Sequence, residues 1–444
     1  MSEWQQVTLH EVCSFKRGLS YSGSDVKEDT PSGIPFITIK NFHKGGGFNF
    51  SGFKKYIGKN HADFTVSPGD LLIANTDVTR NADIIGSAII APEVDGDIAF
   101  SMDVTHLDVD KNKASPAFVC YRLLLDDARE HMKGASAGST VLHLNLKQAS
   151  AFPFKIPTKS EQKVIARILD TLDTQIQKTE ALIAKLENVK EGLLHDLLTR
   201  GIDENGQLRP SPEQAPELYK ESPLGLIPRE WSIASLGGVS EIVSGVTLGS
   251  KSGNSAWPLV PYLRVANVQD GYLDLSEIKL VRVNPDHIEK YRLHPGDVLM
   301  NEGGDFDKLG RGTLWRGEIE LCVHQNHVFR VRTDGRVLDP YFLASFSASF
   351  AGKRYFVKSS KQSTNLASIN STQLKAFEVP LPSIEEQGVI VDKLQVMADR
   401  IEHEKSHLSK LAAHKSGLMD DLLTGRVRVT RLLDQAQAQG TTPA

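Results

Sequence analysis

The stretch IPTKSEQKVIARILDTLDTQI (Ile156–Ile176) has a counterpart in LPSIEEQGVIVDKLQVMADRI (Leu381–Ile401). Most letters differ, but the apolar beats agree. With Ile165 set against Ile390, the same offset carries Leu169 onto Leu394, Leu172 onto Met397 and Ile176 onto Ile401. It then carries Ile183 onto Leu408, Leu186 onto Leu411, Leu193 onto Leu418 and Leu197 onto Leu422. The polar interruptions follow as well, Thr179 meeting Glu404 and Lys190 meeting Lys415. Both segments open with Pro and Glu-Gln (Pro157, Glu161, Gln162; Pro382, Glu386, Gln387), and both finish on Leu-Leu-Thr.

Apolar residues spaced by four and three make the seam of a coiled coil. Ser160 and Ser383 are candidate N-caps, and Gly201 and Gly425 candidate stops. Each segment is therefore expected to be one helix of about 39 residues, close to 60 Å at 1.5 Å per residue. A helix that long cannot hide its seam alone, so two matched seams predict that the helices pack on each other. The plain alternative is a helical pair that serves stability only.

The repeat continues upstream. Trp4, Leu9, Val12 and Gly18 match Trp231, Leu236, Val239 and Gly245. PFITIKN (Pro35–Asn41) parallels PYLRVAN (Pro261–Asn267), and SPGDLLIAN (Ser67–Asn75) parallels HPGDVLMNE (His294–Glu302). GSTVLHLN from Gly138 parallels QSTNLASIN from Gln362. The chain thus reads as two tandem units, each a globular part followed by a long helix. The expected boundaries are 1–157 and 229–382 for the globular parts, 158–200 and 383–425 for the helices, 201–228 for a Pro- and Gly-containing linker, and 426–444 for a tail. Short β-branched runs broken by turn residues predict mostly β globular parts, with helix near 116–131 and 340–352.

With 444 residues the chain is too long for one ordinary core. Hydrophobic residues at 40% and charged residues at 24% are those of a folded soluble protein. No apolar run is long enough to span a bilayer, and no secretory signal pattern opens the chain. Cys13, Cys120 and Cys322 are far apart and form no metal or disulfide pattern, which fits a reducing cytoplasm. The net charge of −4 does not mark a nucleic-acid binder, but local patches decide that question.

Enzyme signatures are weak. Neither a phosphate-binding P-loop nor a dinucleotide fingerprint is present, and GGGFNFSG reads as a turn. His403-Glu404-Lys405-Ser406-His407 has the form of a zinc-hydrolase helix. Against it, Glu404 lies on the seam, no histidine stands at Ala413, and the first repeat has Lys178 and Leu182 in place of the two histidines. Asp270 with Glu277-Ile278-Lys279 has the form of a nuclease triplet, a pattern that chance supplies often.

Positive charge collects in the globular parts. Between Asp29 and Asp63 there is no acid, while Lys40, Lys44, Lys54, Lys55 and Lys59 alternate with aromatic residues. Between Asp339 and Glu378 there is again none, and Lys353, Arg354, Lys358, Lys361 and Lys375 occur. The matching stretch of the first unit, from His131 to Ser160, is also acid-free and holds Lys133, Lys147, Lys155 and Lys159. Turns add Arg80 in the first unit and Lys308, Arg311 and Arg316 in the second. Singly these read as solvated faces; acid-free stretches at equivalent places in both repeats point to phosphate contact. The long helices, by contrast, mix both signs evenly. Candidate DNA-contacting residues are Lys40, Asn41, Lys44, Lys54, Lys55 and Arg80, then Arg264, Asn267, Lys308, Arg311, Lys353, Arg354 and Lys358. Asn41 and Asn267 read equally well as residues that close strand ends.

Duplicated P-x-x-x-E-Q openings, long helices ending in Leu-Leu-Thr, IPREW (Ile227–Trp231), PYLRVANV and PGDVLMNEGG (Pro295–Gly304) resemble the specificity subunit of type I restriction-modification systems, which serve phage defence. The resemblance implies an α+β chain with two β-rich target-recognition domains separated by an antiparallel coiled coil, in a pseudo-twofold tandem repeat. It implies double-stranded DNA as ligand, two modification (methyltransferase) subunits and restriction/translocase subunits as partners, no membrane, and a cytoplasmic location. It implies no catalysis by this chain: S-adenosylmethionine, ATP and Mg belong to the partner subunits. Two diverged units would read an asymmetric bipartite site, one half-site each, with a spacer set by the helix pair. NFHKGGGFNF (Asn41–Phe50) has no counterpart in the second unit by sequence alone. The rival readings are a self-sufficient DNA nuclease or methylase, and a coiled-coil scaffold without DNA specificity.

Overall fold

The computed structural model describes residues 4–28, 30, 33–79, 81–247, 255–304, 309–310, 312–362 and 367–438. Two long helices run over Lys159–Thr199 and Ile384–Leu423, of 41 and 40 residues. The first is capped by Thr158 and not by Ser160: Thr158 Oγ1 accepts from the Glu161 backbone N–H at 3.4 Å, and the Glu161 carboxylate accepts from the Thr158 N–H at 3.3 Å. This reciprocal pair satisfies two donors at once, whereas Ser160 already lies inside the helix. Ser383 does cap the second helix, its Oγ accepting from the Glu386 N–H at 3.2 Å. Beyond the helix ends, Gly201 and Gly425 sit at φ +64° and +77°, where a side chain is strained.

The chain divides into two compact units, 1–180 with 406–444, and 181–405. Each holds one globular part, part of one long helix and part of the other. In the first unit, the beginning of the Lys159–Thr199 helix lies against the end of the Ile384–Leu423 helix. Glu161 bonds Arg428 and Asp173 pairs with Lys415 at 2.5 Å, so partner numbers fall as helix numbers rise and the segments are antiparallel. In the second unit Glu187 pairs with Lys405, and Ile202, past the helix end, bonds Glu386. The sense is again antiparallel.

The globular parts share one topology. Each has a four-stranded antiparallel sheet, ordered Cys13–Arg17, Val104–Val109, Leu71–Ala74, Ala88–Ile90 in the first unit. The second repeats it with Ser240–Ser244, Val328–Thr333, Val298–Asn301, Gly312–Leu314. Each has a second sheet with one parallel pair, Phe100 beside Ile37 and His324 beside Leu263. A two-stranded ribbon ties each globular part's first strand to the strand before its long helix, Gln5–Thr8 to Pro153–Ile156 and Ser232–Ser235 to Glu378–Leu381.

Helix ends and sheets share one core in each unit. In the first, Leu9, Leu71, Leu107 and Phe118 pack with Ile165, Leu169, Met419 and Leu422. In the second, Leu236, Val298, Val331 and Phe342 pack with Leu197, Ile390 and Leu394. All fourteen seam positions, from Ile165 to Leu193 and from Ile390 to Leu418, are buried or half-buried. No helix among the described residues is long and apolar enough to cross a membrane.

Candidate nucleic-acid interface

The Pro35–Asn41 and Pro261–Asn267 segments fold alike. Each strand ends in a short 3-10 turn, Ile39–Asn41 or Val265–Asn267, whose last residue is a buried asparagine. Asn41 Oδ1 accepts from the Thr38 N–H at 2.8 Å and its Nδ2 donates to Asn49 O at 3.0 Å. Asn267 Oδ1 accepts from the Arg264 N–H at 2.9 Å, and its Nδ2 donates to Asp274 O at 2.8 Å and Glu277 O at 3.0 Å. They are 0% and 3% exposed. Both asparagines therefore close loops, with the oxygen and the nitrogen of each amide engaged by backbone groups.

The loops they close are equivalent. Phe42 bridges Phe48 in one, and Val268 bridges Leu273 in the other. The segment NFHKGGGFNF thus has a structural counterpart in NVQDGYLDL (Asn267–Leu275). Each tip carries a glycine at positive φ, Gly46 and Gly47 in one and Gly271 in the other. Exposed aromatics lie beside both tips, Phe50 at 62% and Tyr272 at 61%. In the sequence Phe50 stood out only as one of the aromatics alternating with lysines, and Tyr272 did not stand out at all.

Cations surround the loops. In the first unit Lys40 is exposed, Lys55 is half-buried on the strand Lys54–Tyr56, Lys44 pairs with Asp83 at 2.6 Å and Lys54 pairs with Glu28 at 2.7 Å. In the second, Arg264 is half-buried and pairs with Glu277 at 3.3 Å. The helix Phe350–Ser359 is started by Ser349, whose Oγ accepts from the Gly352 N–H. It buries Gly352 and Phe356 and exposes Lys353, Arg354 and Lys358. Lys353 Nζ lies 2.9 Å from Asp270 Oδ2, which joins this helix to the Asn267–Leu275 loop. Arg264, Asn267 and Lys353 thus meet in one neighbourhood. Arg80, Lys308 and Arg311 lie outside the described residues.

The enzyme patterns acquire other partners. Glu277 and Asp270 are engaged by Arg264 and Lys353. His403 and His407 are exposed, whereas Glu404 is 8% exposed and pairs with Arg400 at 2.8 Å, so the three do not share a face. Among the described residues no group of three or more His, Cys, Asp or Glu is arranged to hold a metal. Burial pushes the thiols of Cys13, Cys120 and Cys322 up to about 12, which keeps them protonated and poor nucleophiles. A cleft of about 1390 Å³ in the first unit has the Asn41–Phe50 loop on one wall and is acidic on the other, with Asp126, Asp173, Glu180 and Asp420 beside Lys415.

The Glu-Gln pair that opens each long helix proves to be the joint of each unit. Gln162 donates to Lys113 O and Pro157 O and accepts from the Ser115 N–H. Gln387 repeats this with Val337 O, Pro382 O and the Asp339 N–H. Glu386 receives Arg209, the Ile202 N–H and Trp231 Nε1. Glu161 receives Arg428, whose guanidinium lies over the Trp4 ring at 5.6 Å. Each joint therefore draws its Trp from the start of a globular part, its Glu from the helix that follows, and its Arg from beyond the end of the other helix. The signal was visible as the repeated Glu-Gln but was read only as a helix opening.

The family model described as the type I restriction modification DNA specificity domain matches residues 1–188 and 228–412. The type I restriction enzyme EcoBI specificity subunit of Escherichia coli is 23% identical over 98% of this chain and 92% of its own length. A putative type I restriction enzyme MjaX specificity subunit of Methanocaldococcus jannaschii is 28% identical, but over only 47% of this chain and 49% of that relative. The crystal structure of the S subunit from M. genitalium shares the fold, with a TM-score of 0.55 at 16% identity over 95% of this chain and 96% of that one.

Proposed function

Because the chain belongs to the type I restriction modification DNA specificity family, we propose that it is the DNA-reading subunit of such a system and catalyses no reaction itself. Each globular part reads one half-site. The asparagine-closed loops and the cations beside them, Lys40, Lys44, Lys54 and Lys55 in one unit and Arg264, Lys353, Arg354 and Lys358 in the other, face the duplex. Lysines hold phosphates and set the register; arginine and the loop tips read base edges. By sequence alone, Arg80, Lys308 and Arg311 are further candidate contacts.

One observation carries this reading: the same fold is built twice with different exposed side chains on the same loop. Equal scaffolds with unequal readers recognise an asymmetric two-part sequence. The length of the two long helices sets the number of base pairs between the parts, and their outer faces receive two modification subunits. Restriction/translocase subunits join for cleavage. S-adenosylmethionine, ATP and Mg act on those partners, and the complex works in the cytoplasm. A methyltransferase partner must extrude its target base, which cannot be reached inside the stack.

The test is co-expression with the cognate modification subunit, followed by genome-wide mapping of methylated adenines. A single two-part motif with a constant gap is expected. Methylation without a motif, or a motif that survives exchange of this chain for an unrelated specificity subunit, overturns the reading.

A further inference from the structure

Three places beyond each buried asparagine stands a charge, and its sign is opposite in the two units: Lys44 after Asn41, Asp270 after Asn267. Each is tied to another segment of its own unit. Lys44 Nζ lies 2.6 Å from Asp83 Oδ2, with the side chains 70% and 23% exposed. Asp270 Oδ2 lies 2.9 Å from Lys353 Nζ, with the lysine 51% and the aspartate 38% exposed. The lysine sits on the loop in one unit and on the helix Phe350–Ser359 in the other. In both, a carboxylate covers it. Arg354 and Lys358, on that same helix, have no carboxylate partner among the described residues.

Exposed pairs of this kind add little to stability. Their larger effect is on what approaches. A bare lysine attracts any phosphate, whatever the sequence, and releases about one counterion per contact. A lysine already held by a carboxylate must exchange that partner first, and the carboxylate left behind repels the backbone. The penalty falls on sequence-independent binding, the term that holds a protein on the wrong DNA.

We infer that Asp270, and Asp83 in the first unit, are intramolecular competitors for DNA phosphate that hold down sequence-independent binding through Lys353 and Lys44. This rests on the DNA-reading function proposed above. A lysine that served only as a phosphate contact has no use for a carboxylate within hydrogen-bond distance, and the reversal of sign shows that the pairing, not the residue type, recurs at this loop position.

The experiment measures binding of the full-length chain to a random-sequence duplex across a salt series. Asp270→Asn is expected to tighten binding on the order of threefold near 0.1 M salt and to steepen the log–log salt slope by about 0.9, the value of one phosphate contact. Adding Lys353→Ala to Asp270→Asn removes both gains. Asp83→Asn with Lys44→Ala gives the same pattern for the first unit. Unchanged affinity and slope in Asp270→Asn overturn the inference while DNA reading stands. A gain that persists without Lys353 also overturns it, because the effect is then general charge. A wild-type chain with no salt-dependent binding overturns the functional reading and this inference together.

Discussion

Gln162 and Gln387 hold three backbone groups each, and both side chains are fully buried. Gln387→Ala leaves the Asp339 N–H and the Val337 and Pro382 carbonyls without this partner. The expected cost is roughly 2–4 kcal/mol of stability, read by urea unfolding. His324 is the other residue with a measurable signature. It is fully buried, donates through Nδ1 to Val328 O at 2.7 Å, and has no partner at Nε2 among the described residues. Burial lowers its pKa to about 4. The unfolded chain takes up this proton near pH 6.5, before the folded one does. Stability is therefore fully present above about 6.5 and declines as pH falls toward 4, by about 3 kcal/mol from this group. In the first unit Phe100 occupies the matching place, beside Ile37 as His324 is beside Leu263. His324→Phe is expected to flatten that part of the pH–stability curve, while an unchanged acid limb argues against the assignment.

At the scale of elements, the long helices were legible because their seam repeats for tens of residues and a copy stands in the same chain. Their expected bounds, 158–200 and 383–425, differ from the observed helices by one or two residues at each end. The Thr158 cap has a sequence signature, Thr-x-x-Glu at Thr158–Glu161, which the choice of Ser160 passed over. The loop Asn41–Phe50 was not legible. Its bridge closes over one residue more than that of Asn267–Leu275, which shifts the alignment at the tip where identities are fewest. Charge location was legible, and hydrogen bonding was not: Asn41 and Asn267 look like readers in a list of polar residues and are pinned inside their loops. The basic helix Phe350–Ser359 gives the element-scale prediction. Arg354→Ala with Lys358→Ala is expected to weaken DNA binding and to flatten the log–log salt slope by nearly two, at about 0.9 per phosphate contact. An unaltered slope removes this helix from the interface.

At the scale of the whole molecule, the chain is one design written twice and closed crosswise: each unit's joint needs a Trp from the start of its globular part, a Glu from the helix that follows and an Arg from beyond the end of the other helix. That crosswise closure was not visible in the repeat, because Arg209 and Arg428 lie beyond the helices in segments that do not align. It ties the two long helices to both globular parts, and the functional account depends on those helices acting as a ruler. Removing one heptad from each helix at matched, antiparallel positions shortens the pair by about 10 Å at 1.5 Å per residue, or roughly three base pairs at 3.4 Å. The direct measurement is the methylation map of cells carrying the intact chain beside that of cells carrying the shortened one. The account predicts the same two half-sites with a gap about three base pairs smaller; the same half-sites at an unchanged gap would contradict it.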